Sequence, residues 1–164
     1  VAYKFEGYWK DVGTIQSLYE ANMDLLGDIP KINVTDKNWK IQSRSPMASP
    51  QYIGVESKVS NSIILSGCEI HGDVENSVLS SGVIVKKGAK VIDSVIMQDT
   101  VIEEGAVVEY SIIDENTVIS KNAKVGEPKE SGKGIALLGR NITISEGVSI
   151  AGGEIIDKDV KGDN

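Results

Sequence analysis

The stretch Val91-Ile92-Asp93-Ser94-Val95-Ile96-Met97-Gln98-Asp99-Thr100-Val101-Ile102-Glu103-Glu104-Gly105-Ala106-Val107-Val108 decides how this chain folds. Its aliphatic residues Val91, Ile96, Ile102 and Val108 are spaced five, six and six residues apart. Extended both ways, the series reads Leu79, Val85, Val91, Ile96, Ile102, Val108, Ile113, Ile119 and Val125, and every third member lies 17 residues on. A small residue stands four positions after most of them, at Ala89, Thr100, Ala106, Thr117 and Ala123. At the five-residue step a serine comes three positions on instead, at Ser94 and Ser111; Ser77 after Val74 and Ser62 after Val59 keep the same rule. An amphipathic helix would repeat every 3.6 residues, and this series does not.

An aliphatic residue every six, with a small one four later, has a direct geometric reading. Each unit is a short strand and a tight corner; the aliphatic residue points inward and the small one fits where the corner narrows the interior. Three units close a triangular coil of about 17 residues, and stacked coils pair their strands in parallel. The spacing therefore predicts a mainly β chain, a left-handed parallel β-helix of hexapeptide type. The interval from Ser62 to Ser77 is only 15 residues, which marks one shortened side at Ile70-His71-Gly72-Asp73-Val74. Residues 126–138 break the pattern and read as an excursion from a corner. Ile144, Ile150 and Ile156 resume it in a last coil before a polar tail at 161–164.

The same register assigns an outward position just before each aliphatic residue. On one face these are Ile63, Val78, Val95 and Ile112; on the next, Ile84, Val101 and Val118; on the third, Lys90, Val107 and Lys124. Two outward faces are thus apolar, and the expectation is that other protein covers them, although β-branched residues also suit exposed strands.

Composition divides the chain. Tyr3, Phe5, Tyr8, Trp9, Tyr19, Trp39 and Tyr52 precede residue 53 and Tyr110 alone follows it. From residue 53 on, Val and Ile number 32 against four Leu, so the core there is narrow and aliphatic. Residues 1–8 alternate as a strand does. Thr14 is a natural N-cap for a helix running to Leu26, with Gly27 as its stop. Ile15, Leu18, Tyr19, Asn22, Leu25 and Leu26 line one side of that helix, an apolar stripe that only Asn22 interrupts. Residues 28–52, with Pro30, Pro46 and Pro50, read as a connector, with a short strand at Trp39, Lys40 and Ile41. The divisions are 1–27, 28–52 and 53–164.

The 164 residues carry a net charge of −7 and only two arginines, Arg44 and Arg140, which argues against nucleic acid as a partner. No apolar run approaches membrane-spanning length, and no charged-then-apolar leader opens the chain, so the expected compartment is the cytoplasm. The lone Cys68 excludes an internal disulfide framework and a thiolate zinc site. It falls at the small position after Ile64 and reads as core filler. The start at Val1 suggests a fragment.

Phe5-Glu6-Gly7-Tyr8-Trp9-Lys10-Asp11-Val12-Gly13-Thr14-Ile15, followed by Glu20-Ala21-Asn22-Met23-Asp24-Leu25-Leu26, resembles bacterial glucose-1-phosphate adenylyltransferases (ADP-glucose pyrophosphorylases). In that family the motif closes the catalytic nucleotidyltransferase domain and a left-handed β-helix follows. The resemblance implies the conversion of ATP and α-D-glucose 1-phosphate to ADP-glucose and pyrophosphate in glycogen biosynthesis. It matches Asp11 to a carboxylate that helps hold Mg²⁺, and Trp9 to an aromatic beside the glucose phosphate. Without the motif, Asp11 reads as a turn residue before a glycine and Trp9 as packing under the helix. The family's nucleotide-binding loop and other metal-binding aspartate lie upstream of this stretch, so the polypeptide alone is expected to be inactive. The resemblance also implies a homo-oligomer, commonly a tetramer, or a mixed assembly with a paralogue, and an allosteric role. For an anionic effector, Lys129, Lys133 and Arg140 offer cations, although solvated loop lysines are the plainer reading.

Two other functions stay open. Many left-handed β-helices are acyl- or acetyltransferases that use a corner histidine as base; His71 is the one histidine here. A structural subunit of a non-catalytic paralogue is the other.

Overall fold

A computed structural model describes residues 1–34, 36–41 and 47–162. It contains one α-helix, α1 (Ile15–Met23), and a stack of six triangular coils. The first coils are β1 (Tyr52–Ile53), β2 (Val59–Ser60) and β3 (Ile63–Ile64), then β4 (Glu69–Ile70), β5 (Asp73–Glu75) and β6 (Val78–Leu79). The central ones are β7 (Ile84–Val85), β8 (Lys90–Ile92) and β9 (Val95–Ile96), then β10 (Val101–Ile102), β11 (Val107–Glu109) and β12 (Ser111–Ile113). The last are β13 (Val118–Ile119), β14 (Lys124–Val125) and β15 (Ala136–Leu138), then β16 (Thr143–Ile144), β17 (Ser149–Ile150) and β18 (Ile155–Ile156).

Each strand pairs in parallel with the third strand before and after it, which makes three six-stranded sheets. The first face runs β1-β4-β7-β10-β13-β16, the second β2-β5-β8-β11-β14-β17 and the third β3-β6-β9-β12-β15-β18. The chain is the left-handed parallel β-helix that the spacing predicts. Val101 lies between Ile84 and Val118, and Val108 between Val91 and Val125, at the 17-residue interval. Ile70, Val85, Val91, Ile96, Ile102, Val108, Ile113, Ile119 and Val125 are fully enclosed in one core. Ala89, Ala106 and Ala123 fill its narrow corners. Cys68 joins them, its thiol 3.0 Å from the Ser80 carbonyl oxygen and its pKa pushed up by burial.

The serines are a ladder along the corner between the second and third faces. Ser77, Ser94 and Ser111 each donate a backbone N–H to the hydroxyl of the serine one coil earlier, at 3.1, 3.0 and 3.2 Å. Each hydroxyl in turn donates to the carbonyl two residues upstream, at 2.7 Å. The residue before each serine holds a left-handed backbone, Asn61, Asn76, Asp93 and Tyr110 at φ +40 to +48°, as do Asp99, Asn116, Asn122 and Asn141 at +54 to +58°. Short polar side chains tolerate that region best. Tyr110 is the exception, and it has a partner described below.

The shortened side lies between β4 and β5. Gly72 runs so close under the next coil that a Cβ there would come within 2.3 Å of the Ala89 carbonyl oxygen. The excursion is shorter than the 126–138 read from sequence. A 3-10 turn at Lys129–Ser131 follows Gly126, but the coil resumes at Ala136, where Ser111 pairs with Ala136 and Ile113 with Leu138. Polar and glycine residues mark where the excursion leaves, whereas its return is decided by the next free edge.

Three local expectations differ. Residues 1–8 and the Trp39 segment form no strand: neither takes part in a β-ladder, and alternation alone does not make a strand without one. The helix stops at Met23, three residues short of Leu26, because Leu25 and Leu26 bond back to Asn22 and Met23 in a tightened last turn and Asp24 becomes the cap. Its start is as read: Thr14 caps it, with reciprocal Thr14 and Ser17 bonds at 3.1 Å. Arg44, Pro46 and the tail beyond Gly162 lie outside the described residues. Among those described, no helix is long and apolar enough to cross a membrane.

The apolar outward face on the third sheet is covered by this chain itself. Tyr19 of α1 packs with Val95, Tyr110, Ile112 and Ile135, and Ile15, Leu18 and Met23 pack around them. The first-face row Ile84, Val101 and Val118 is half-buried, and Lys90 and Lys124 on the second face are exposed.

Candidate functional site

The motif residues sit where the N-terminal segment crosses α1. Trp9 is 77% exposed and so does not pack under the helix. Asp11 is exposed; its Oδ1 accepts the Gly13 N–H at 2.9 Å, an Asx turn that leads the chain into the Thr14 cap. Between them, Lys10 turns the other way. Its ammonium lies 3.0 Å from Glu20 Oε2 and 3.2 Å from Asp24 Oδ2, and its side chain is only 21% exposed.

Asp24 is the centre of this network. Besides Lys10, it takes the Tyr8 hydroxyl at 3.1 Å and the Lys31 ammonium at 2.7 Å. The Lys31 bond first, then Lys10 and Tyr8, hold its carboxyl below the usual aspartate value, although burial opposes them. Glu20 is lowered as well, by the Gln16 amide first and then by Lys10. Lys10 is raised, Glu20 being the larger cause. Lys10, Glu20 and Asp24 stand in the motif stretch, but the sequence assigns them no role. A signal existed: Glu20 and Asp24 are like charges four apart at the end of one helix, an arrangement that calls for a cation between them.

The three cations suggested for an effector do not share one place. Lys129 and Lys133 lie in the excursion between β14 and β15, at the corner joining the second and third faces. Arg140 lies between β15 and β16, at the corner joining the third and first. Each is also engaged. Lys133 pairs with Glu127 at 2.8 Å, Arg140 with Glu115 at 3.5 Å, and Lys129 stands 5.8 Å from the centre of the Tyr110 ring.

His71 lies on the shortened side in an open cleft with Tyr52, Ser57, Lys86, Lys87 and Glu104. Its ring is 5.5 Å from that of Tyr52 and its Nε2 is 4.0 Å from Glu69 Oε2. Among the described residues, no group of three or more His, Cys, Asp or Glu could hold a metal ion.

The model of GlmU-like, C-terminal hexapeptide domains matches residues 49–137. The glucose-1-phosphate adenylyltransferases of Bacillus mycoides and Bacillus anthracis are 58% and 57% identical over 97 residues, 59% of this chain and 26% of theirs. That of Clostridium kluyveri is 56% identical over 96 residues, 58% of this chain and 25% of its own. The chain thus spans about a quarter of the length of these relatives. Among solved structures, the acetyltransferase domain of PglB from Neisseria gonorrhoeae, in complex with acetyl coenzyme A, superposes with a TM-score of 0.54 at 25% identity, over 66% of this chain and 54% of that one. A histidine-to-alanine mutant of GDP-perosamine N-acetyltransferase from Caulobacter crescentus, with CoA and GDP-perosamine, gives 0.53 at 13% identity over 66% and 53%. That second likeness is one of fold alone.

Proposed function

This chain belongs to the GlmU-like, C-terminal hexapeptide family, and from that premise we propose that it is the C-terminal part of a bacterial glucose-1-phosphate adenylyltransferase. The observation that carries the reading is the 58% identity over 97 residues to relatives of that name. The whole enzyme would join ATP and α-D-glucose 1-phosphate into ADP-glucose, releasing pyrophosphate, in the cytoplasm and for glycogen synthesis, with neither nucleic acid nor membrane as partner.

In that reaction a phosphate oxygen of the sugar attacks the α-phosphorus of ATP and pyrophosphate leaves. In this chain Trp9 would lie against the sugar phosphate and Asp11 would hold Mg²⁺. The donor chemistry fits: Mg²⁺ takes one or two carboxylates together with substrate phosphates, and Asp11 is an exposed carboxylate with only Oδ1 engaged in its turn. When bound, the ion would offset the negative charge gathering on the phosphates. The rest of the constellation lies upstream in the family, so the polypeptide alone is inactive in this reading. Residues 1–27 are then the end of the catalytic domain, 28–52 a connector, and 53–164 the β-helix.

The β-helix would serve assembly and regulation. With the third face occupied by α1, the first-face row Ile84, Val101 and Val118 is the apolar surface left for a homo-oligomer, a tetramer, or a mixed assembly with a paralogue. Effector contacts at Lys129 and Lys133 would belong to one corner and those at Arg140 to another.

The experiment compares this chain with the full-length protein in a coupled pyrophosphate assay with ATP, glucose 1-phosphate and Mg²⁺. Turnover by the full-length protein, none by this chain, and loss of about a hundredfold or more with Asp11→Asn is the expected outcome. A full-length protein that makes no ADP-glucose overturns the reading.

The acetyltransferase reading has one observation in its favour, the superposition on an acetyl coenzyme A complex, with His71 standing at a corner of the coil. A thermal shift with CoA that His71→Ala abolishes would replace the first reading with this one.

A further inference from the structure

We propose that Lys10 is a positioning residue that clamps the Trp9 to Asp11 segment onto α1, and that Tyr19 fixes α1 on the β-helix, so that the β-helix sets where that segment stands. The inference rests on the adenylyltransferase reading and adds to it a residue and a route.

Its first link is the Lys10 ammonium, which is held at 3.0 Å by Glu20 in α1 and at 3.2 Å by Asp24, the helix C-cap. An exposed ion pair contributes little, but this lysine is largely covered. Asp24, with a side chain only 10% exposed, also takes Tyr8 and Lys31. Tyr8 and Lys10 therefore fasten the chain on both sides of Trp9. Successive Cα atoms are about 3.8 Å apart, so holding Lys10 restricts Trp9 and Asp11 directly.

The second link is Tyr19, one residue before Glu20. It is 2% exposed, and its hydroxyl donates to the Asp93 carbonyl oxygen at 2.9 Å. That carbonyl belongs to a left-handed corner of the serine ladder, a rigid part of the core. The route thus runs from the Asp93 corner through Tyr19 and α1 to Glu20 and Asp24, and from these to Lys10. A reacting group displaced by about 1 Å loses on the order of a hundredfold in rate, so a loose segment would show in catalysis without any change in what binds.

The test uses the full-length protein. Lys10→Met keeps the aliphatic stem and removes the charge. It is expected to lower kcat by about tenfold or more, to raise the Mg²⁺ concentration for half-maximal activity, and to speed amide exchange at residues 8–13. Lys10→Arg restores all three to within about threefold of wild type, since a guanidinium can still reach both carboxylates. Tyr19→Phe keeps the ring, loses the bond to Asp93, and moves the same three quantities in the same direction but less. If Lys10→Met does not fold, Glu20→Gln removes one of the two carboxylates and is read in the same way. An active wild type whose Lys10→Met and Glu20→Gln variants keep normal kcat, Mg²⁺ dependence and exchange overturns this inference alone. A wild type without adenylyltransferase activity overturns the underlying reading as well.

Discussion

Tyr19 meets Tyr110 edge to face, with ring centroids 5.0 Å apart and ring planes at 87°. One ring comes from the helix that precedes the coils and the other from a corner of the fourth coil, where Tyr110 takes the left-handed backbone that asparagine and aspartate supply in the coils below. A tyrosine at such a corner is strained by roughly 1 to 2 kcal/mol, and the aromatic contact returns about 0.5 to 1.5 kcal/mol. The pair joins the two parts of the chain.

Removing that joint should free the helix and spare the coils. Tyr19→Ala is expected to weaken α1 docking by about 3 kcal/mol or more, and Tyr19→Phe by about 1 kcal/mol through its hydrogen bond. Hydrogen exchange is the check: protection falls along residues 15–23 and stays high on the central coils. Equal loss in both regions would mean that helix and coils unfold as one unit.

The serine ladder gives a graded series. Ser94→Ala takes away the acceptor of the buried Ser111 N–H and should destabilise the chain by about 1 to 3 kcal/mol in urea. Ser62, on the open first coil, accepts a bond in a less enclosed place, so Ser62→Ala should cost less. A Ser94 variant no weaker than the Ser62 variant would show that water replaces the hydroxyl even at the centre of the stack.

Glycines in the coil corners are not equivalent. Gly72→Ala puts a Cβ against two backbone carbonyl oxygens, of Ala89 and Lys86, that no side-chain motion relieves. A loss of about 3 kcal/mol or more is expected. Gly88→Ala meets only the Gly105 backbone nitrogen, at an ordinary contact of 3.9 Å, and is strained chiefly by its φ of +74°, about 1 to 2 kcal/mol. Thermal melting of the two variants separates close approach from backbone conformation.

Acid should loosen the Trp9 segment. Asp24 and Glu20 titrate below their ordinary values in the folded chain, so the unfolded carboxyl takes up protons first. Their contribution is complete above the unfolded values and is lost as pH falls through the folded ones. Lys10 and Tyr8, which face them, are both raised from their ordinary values and keep their protons throughout that range. Amide exchange at residues 8–13, corrected for its intrinsic pH dependence, is expected to rise on acidification in the wild type. In Asp24→Asn it should already be high and change less.

The inward row of the β-helix was legible in the sequence because it is set by neighbours along the chain. An aliphatic residue six positions on falls on the next face, and 17 positions on it falls over its own kind. The 17-residue coil, the shortened side at Gly72 and the enclosure of Cys68 follow from that spacing, and the Thr14 cap follows from residue type at the start of the helix. What covers an outward face has no such periodicity. Val95 and Ile112 were recognisably apolar and outward, but the segment that lands on them is a helix whose Tyr19 bonds to Asp93 across 74 residues, and only packing selects it. The same holds for Lys10 and Asp24, 14 apart and of opposite charge, which meet because the chain folds back over α1. The return of the excursion at Ala136 was likewise decided by the strand edge waiting for it. Spacing determined the prism; the tertiary structure decided what leans against it.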